Sequence, residues 1–202
     1  MKKEIKSELT RERIIKAAIQ EFGQKGYEAT VLNTICKDHE ISKGLFYHNF
    51  KGKEELYLSC VEKCFLDVVR YFQEQEIHDS LQKYMELRLK YFSSRPLYAR
   101  IFFEAVLQPP AGLGGRIKEL KTEFDLLNRQ IYRAALSQLR LREGITETTA
   151  LEYYELMQEM FNGYFSSPAY SGKDFGFVIT EHEKRLSAVL DFMLYGIAER
   201  GE

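Results

Sequence analysis

Between regularly spaced breaks, apolar residues recur three or four positions apart. Ile14/Ile15, Ala18 and Phe22 form one such series. Ile117, Leu120, Phe124, Leu127, Ile131 and Ala134 form another, holding one face for about five turns. Strict alternation, the mark of a half-buried strand, is nowhere sustained. The chain therefore reads as all-α. Gly23, Gly26, Gly44, Gly52, Pro96, Pro109-Pro110, Gly112, Gly144, Ser166-Ser167-Pro168 and Gly172 punctuate it at helix-length intervals. They divide it into nine predicted helices, near 7–24, 31–38, 42–48, 53–76, 78–93, 96–107, 114–142, 147–166 and 175–199. Thr30, Ser42, Thr146 and Asp174 are expected to cap the second, third, eighth and ninth of these. Gly144 stands where a C′ residue of the long seventh helix is expected.

Composition narrows the classes. The chain has 202 residues, 45% of them hydrophobic and 29% charged. That suffices for a packed core and argues against intrinsic disorder. The longest uninterrupted apolar run is Phe192–Tyr195, far short of the ~20 residues of a spanning helix, so no membrane span is expected. The opening MKKEIKSELT has lysines but no apolar stretch, and no export signal is expected there. Three cysteines, Cys36, Cys60 and Cys64, cannot all pair within one chain, which points to free thiols and a cytoplasmic location. The net charge of −1 hides an asymmetry: residues 1–53 carry 11 Lys/Arg against 7 Asp/Glu, and the remainder 18 against 23. One basic end on an acidic body suggests an anionic partner, although chance clustering gives the same pattern.

The most informative stretch is the first 53 residues. Two short predicted helices are separated only by His39-Glu40-Ile41, the spacing of a helix-turn-helix. Ile35, Cys36, Ile41, Phe46 and Phe50 are expected to pack inward against Ile15, Ala18 and Phe22. Ser42, Lys43, Gly44, Leu45, Tyr47, His48 and Asn49 are left facing out. A short polar helix of this kind fits a major groove about 12 Å wide.

The run GYEATVLNTICKDHEISKGLFYHNFKGKEELY resembles the N-terminal domain of the TetR family of bacterial transcriptional regulators. The segment from Ser42 to Leu56 is similar to the family signature SKGTLYHYFxSKEEL. The match covers roughly residues 10–56; beyond it only length and helix count agree. The resemblance implies a DNA-binding domain at 1–52 and a helical effector-binding and dimerisation domain at 53–202. It implies that Thr30 bonds a backbone phosphate and that Ser42, Lys43 and Gly44 sit at the groove. Leu45 would face a base, Tyr47 and His48 would bond phosphates, and Lys53 would reach a further one. Lys43, Leu45 and Asn49 would be the residues able to read sequence. Two departures stand out. The family turn AGVS is here His39-Glu40-Ile41-Ser42, so that a Glu falls where Gly allows positive φ, and Asn49 replaces an aromatic residue.

A single head buries too little surface for tight binding, so a homodimer on a two-fold axis is expected. The helices at 147–166 and 175–199 carry more apolar surface than one stripe needs: Tyr153/Tyr154, Met157, Met160/Phe161 and Tyr164/Phe165, then Phe177/Val178, Leu186, Val189/Leu190, Met193 and Ile197. Tyr154, Phe161, Phe165, Leu186, Val189 and Met193 are the expected dimer contacts. The middle of the chain reads as a sensor for an unidentified small molecule of apolar or aromatic character. Its candidate lining is Cys64, Tyr84, Met85, Arg88, Phe92, Phe103, Phe124, Leu127, Ile131 and Phe161, residues that also suit a plain core. Arg88, if it points inward, needs an anion, either Glu104 or a carboxylated effector. An effector lodged between the helices at 53–76 and 114–142 would shift the first of these and release the DNA.

Cys60 and Cys64 lie one turn apart. However, His78 and His182 are distant in sequence and complete no tetrahedral set, so neither metal nor cofactor is expected. No GxSxG, HExxH or Walker sequence is present, which argues against an enzyme. The favoured reading is a dimeric regulator, most simply a repressor, released from a palindromic operator by its effector. The alternative is a helical interaction or ligand-binding protein that ignores DNA; salt-dependent binding to duplex DNA separates the two.

Overall fold

The computed structural model describes residues 2–77 and 80–197. Among these, the chain is all-α: α1 (Lys2–Ala29), α2 (Leu32–Asp38), α3 (Lys43–Asn49), α4 (Lys53–Gln73), α5 (Leu81–Ser93), α6 (Pro96–Leu107), α7 (Gly114–Leu120), α8 (Thr122–Leu136), α9 (Glu147–Phe165) and α10 (Phe175–Ile197), with a 3-10 turn at Pro168–Tyr170. The predicted helix start at 78, His78 itself and the predicted end at 198–199 lie outside the described residues.

Ten helices replace the predicted nine because the segment 114–142 is not continuous. It breaks at Lys121, whose N–H donates to the Ile117 and Glu119 carbonyls. After Leu136 it unwinds through i→i+3 bonds from Gln138 to Ala135 and from Leu139 to Leu136. A one-residue break leaves the apolar face in register, with Ile117, Phe124 and Ile131 all buried, so periodicity alone is blind to it. Gly144 consequently caps no helix and sits in a later turn with φ 83°.

Capping follows the sequence at three of four places. The Ser42 hydroxyl accepts from Leu45 N, Thr146 Oγ1 from Thr149 N, and Asp174 Oδ1 from Phe177 N. The exception is α2, whose N-cap is Val31 with no side-chain bond. Thr30 turns back into α1, where its hydroxyl donates to the Gly26 carbonyl at 2.7 Å. The acceptor, Gly26, is where α1 kinks (φ 79°, ψ 174°), a backbone region open to glycine.

The chain forms two compact units, Met1–Phe65 with Arg95–Lys121 and Leu66–Ser94 with Thr122–Glu202. The division runs through α4. In the first unit Ile14, Ala18, Phe22, Ile35, Ile41, Phe46, Phe50 and Leu56 are buried. There α1 lies against α6 so closely that a Cβ on Gly23 would stand 2.6 Å from Leu97 Cβ. In the second unit α5, α8, α9 and α10 share a core that includes Tyr84, Phe124, Tyr132, Leu151, Phe165, Val178 and Leu190.

Candidate nucleic-acid interface

The turn between α2 and α3 is built as a Schellman motif. Ile41 N–H reaches back to the Cys36 carbonyl at 2.8 Å, and Glu40 N–H to that of Lys37 at 3.4 Å. Glu40 occupies the left-handed position of this motif with φ 52°, the one positive φ at a non-glycine among the described residues. Ile41, 3% exposed, plugs the corner. The Arg13 guanidinium donates to the His39 and Glu40 carbonyls, tying the turn to α1.

The turn aims α3. Phe46 and Phe50, each 1% exposed, stack with ring centroids 5.9 Å apart and anchor its inner side. Arg11 holds the exit: its guanidinium lies 4.3 Å above the Phe50 ring and donates to Ser59 Oγ at 2.8 Å and to the Asn49 carbonyl. With the inner side locked, Ser42, Lys43, Gly44, Tyr47 and His48 are exposed, and Leu45 and Asn49 half-exposed. A Cβ on Gly44 would meet nothing within 4 Å. The Asn49 amide donates back to the Leu45 carbonyl at 2.8 Å, so its side chain is engaged by its own helix. Neither Arg11 nor Arg13 is legible as a positioning residue in the sequence, because their partners lie 26 to 48 positions away.

Lys53 opens α4 beside this face. Its ammonium sits 4.3 Å from the Tyr27 ring and donates to the Glu28 carbonyl at 3.3 Å. Tyr27 is itself held by Glu104 of α6. One Glu104 oxygen accepts Tyr27 N–H at 2.9 Å and the other the Tyr57 hydroxyl at 3.0 Å. Burial raises the Glu104 carboxyl pKa, and the bonds from Tyr27 and Tyr57 only partly offset this. Thr30, expected at the DNA backbone, is instead 1% exposed, with its hydroxyl given to Gly26.

In the second unit Arg88 does point inward, and its anion is neither of those expected. Glu104 belongs to the first unit, and Arg88 Nε meets Glu183 Oε2 at 2.7 Å, while Arg88 Nη1 donates to the Tyr84 hydroxyl. Burial pushes the Glu183 carboxyl up, but the adjacent guanidinium and the hydrogen bonds from His182 and Arg88 outweigh it and hold it below its ordinary range. His182, flanked by Glu183 Oε1 and Asn162 Oδ1 at 3.0 Å each, has its pKa lowered, chiefly by burial. The Arg88 guanidinium lies 5.1 Å from the Phe92 ring and 5.9 Å from that of Phe124, so the structure gathers Tyr84, Arg88, Phe92 and Phe124. Ile131 and Phe161 are buried in the same unit, with Met85 and Leu127 half-buried. Cys64 and Phe103 fall in the first unit. The Tyr132 hydroxyl, missed in the sequence, is buried with no hydrogen-bond partner among the described residues, and burial pushes its pKa to about 12.

The expected dimer contacts need correction. Tyr154, Phe161, Phe165, Leu186 and Met193 are buried within this chain and Val189 is half-buried. Tyr154, Phe161, Phe165 and Met193 are each one position from an exposed apolar residue. The exposed apolar residues of α9 are Tyr153, Leu156, Met160 and Tyr164, three and four apart on one stripe, and α10 adds Phe177 near its start and Phe192 and Tyr195 near its end. Where a helix is apolar on two sides, sequence alone does not say which side faces inward. The cysteines Cys36, Cys60 and Cys64 are buried and in no disulfide, and burial raises the Cys60 thiol pKa.

Known proteins resemble this chain over most of its length. The family model described as bacterial regulatory proteins, tetR family, matches residues 14–60, and the one described as tetracyclin repressor-like, C-terminal domain, matches residues 75–195. An uncharacterized HTH-type transcriptional regulator of Bacillus subtilis, YerO, is 50% identical over 52 residues, covering 26% of this chain and 18% of that protein. The biofilm operon icaADBC HTH-type negative transcriptional regulator IcaR of Staphylococcus epidermidis is 42% identical over 55 residues, covering 27% and 30%. These curated relatives are thus matched over less than a third of their length. Among solved structures, a TetR-family transcriptional regulator of Pectobacterium atrosepticum aligns with TM-score 0.65, 18% identity and 98% coverage of each chain. The regulator FadR of Bacillus subtilis, solved in complex with stearoyl-CoA, aligns with TM-score 0.62 and 17% identity, covering 92% of this chain and 98% of that one.

Proposed function

The chain belongs to the tetR family of bacterial regulatory proteins, DNA-binding transcriptional regulators and not enzymes, and on that premise we propose that it is an intracellular repressor that binds a palindromic operator as a homodimer and is released by a small-molecule effector. The observation that carries this reading is the locked inner side of α3 opposite its open outer side. Phe46, Phe50 and Arg11 fix the helix, while Lys43, Gly44, Tyr47 and His48 remain exposed. Lys43 and Leu45 then address base edges, Tyr47, His48 and Lys53 bond phosphates, and Ser42 caps the helix start. Thr30 is left out, because its hydroxyl is spent within α1. Functionally, residues 1–52 form the DNA-binding part and 53–202 the effector and dimerisation part, α4 being the helix common to both compact units.

Dimerisation is assigned to the α9 stripe of Tyr153, Leu156, Met160 and Tyr164 with Phe192 and Tyr195 of α10. Contiguous exposed apolar surface of this kind marks an association face. The effector is assigned to the second unit, around Tyr84, Met85, Arg88, Phe92, Phe124, Leu127, Ile131 and Phe161. There the unpartnered Tyr132 hydroxyl can meet a polar group of an otherwise apolar or aromatic ligand. That a fold relative holds stearoyl-CoA supports an apolar occupant. Effector binding biases α4, which carries Lys53 at its start, and a coupling of about 1–3 kcal/mol suffices for release.

The test is binding to a duplex carrying the DNA upstream of the protein's own gene, read by gel shift at several salt concentrations. Salt-sensitive binding that Lys43→Ala and Tyr47→Phe weaken is expected. A chain that ignores duplex DNA at low salt refutes the reading.

A further inference from the structure

We propose that Arg116, on α7, is part of the DNA-binding surface and holds a backbone phosphate beside the one assigned to Lys53; the inference rests on the DNA-binding reading above and extends it. No sequence signal placed α7 near DNA, since 63 positions separate Arg116 from Lys53. The structure brings them to one cleft of about 610 Å³, lined by Tyr27, Lys51, Lys53, Glu54, Leu58 and Arg116 among others. Arg116 and Lys51 are exposed there, and Lys53 is held over Tyr27 with one N–H on the Glu28 carbonyl, leaving donors free.

Charge supports the same assignment independently. The compact unit bearing the helix-turn-helix recruits Arg95–Lys121, a segment with five Lys/Arg against two Asp/Glu. One of those two acids, Glu104, is committed to Tyr27 and Tyr57. The segment therefore adds positive charge to the unit that meets DNA, and Arg116 is its cation in the cleft.

The cleft's own balance identifies its occupant. Lys51, Lys53 and Arg116 face Glu54 and Glu55, and the Glu55 carboxylate also accepts Lys51 N–H at 2.8 Å. Lys53 and Arg116 each face one phosphodiester, a monoanion, whereas Glu54 and Glu55 disfavour a free nucleoside triphosphate, which would crowd several charges at one spot beside the two carboxylates. A guanidinium fork matches two phosphate oxygens at once, which a lysine in its place would not.

The experiment is fluorescence anisotropy with a 30-base-pair duplex of mixed sequence, titrated at salt concentrations from about 50 to 200 mM. Each phosphate contact adds about 0.9 to the slope of log affinity against log salt. Arg116→Ala is therefore expected to lower the slope by about 0.9 and the affinity about eightfold at 0.1 M salt, and Arg116→Lys to keep the slope. Lys118→Ala, on the same helix but outside the cleft, should match wild type. Melting followed by circular dichroism checks that the exposed substitution leaves the fold intact. An Arg116→Ala slope and affinity equal to wild type, with Lys53→Ala still impaired, overturns the proposal and leaves the DNA-binding reading standing. Wild-type protein that fails to bind the duplex overturns both. Titration with ATP in place of DNA adds a third arm: displacement of the duplex by micromolar ATP, lost in Arg116→Ala, would assign the cleft to a small anion and also overturn the proposal.

Discussion

Glu40→Gly should stabilise the protein. Glu40 has φ 52° because the α2–α3 turn is a Schellman motif and needs a left-handed residue after the helix. A side chain there costs about 1–2 kcal/mol through contact of Cβ with the following carbonyl. Glycine removes that cost but loses about 0.4–1 kcal/mol more backbone entropy on folding. The Glu40 side chain is exposed, and its backbone bonds to Lys37 and Arg13 survive the change. The net gain is about 0.5–1 kcal/mol, which for a chain of this size raises Tm by about 1–4 °C. Urea unfolding and thermal melts followed by circular dichroism measure it, with Glu40→Ala as the control. Alanine keeps the Cβ and the positive φ, so it should gain nothing. Equal stabilisation by alanine and glycine, or a loss with glycine, would refute the strain argument. Because the turn aims α3, the DNA affinity of Glu40→Gly should stay within about twofold of wild type, roughly 0.4 kcal/mol.

Three further outcomes are expected. Gly44→Ala should raise stability by up to about 1 kcal/mol, since its Cβ meets nothing in the protein, while weakening DNA binding, since the methyl lies on the exposed side of α3 proposed to face the groove; melts and gel shifts on one sample test both halves. Arg88→Ala should cost about 3–5 kcal/mol by stranding the buried Glu183 carboxylate, and Arg88→Met combined with Glu183→Leu should recover most of that loss in chemical denaturation. His182 and Glu183 should each remove stability on acidification, in two stages, against the opposite contribution of Glu104, whose raised pKa favours the folded state as pH falls toward 4.5. Below the ordinary histidine value of 6.5, an unfolded His182 takes up a proton that the buried one, with its lowered pKa, resists. Below the ordinary carboxylate value of 4.5, the depressed Glu183 pKa means that stability is lost as pH falls through its folded value. His182→Gln should flatten the denaturation midpoint between about pH 8 and pH 5.5, while the lower stage persists, carried chiefly by Arg88 beside Glu183.

Local rules made the helix-turn-helix readable. Ser42 caps α3, Ile41 fills the corner, Phe46 and Phe50 alternate with exposed positions, and Glu40 takes the left-handed conformation that its place in the turn demands. Each depends on neighbours within one or two turns, so spacing suffices. Elsewhere the same rules were silent or ambiguous. The break at Lys121 leaves the apolar register unchanged, and the Thr30 hydroxyl is given to the Gly26 carbonyl instead of capping α2.

The sequence by itself determined an all-helical chain, the location of α3 and the residues on it that face outward, because these follow from periodicity, capping and turn chemistry between near neighbours. Only the tertiary structure decided that Glu183 is the anion for Arg88, that Glu104 clasps Tyr27 and Tyr57, that Tyr153 rather than Tyr154 is exposed on α9, and that Arg116 shares a cleft with Lys53. Those pairings join residues dozens of positions apart. A charge or an aromatic ring carries no mark of its distant partner, so the packing of helices, and not the pattern along any one of them, selects it.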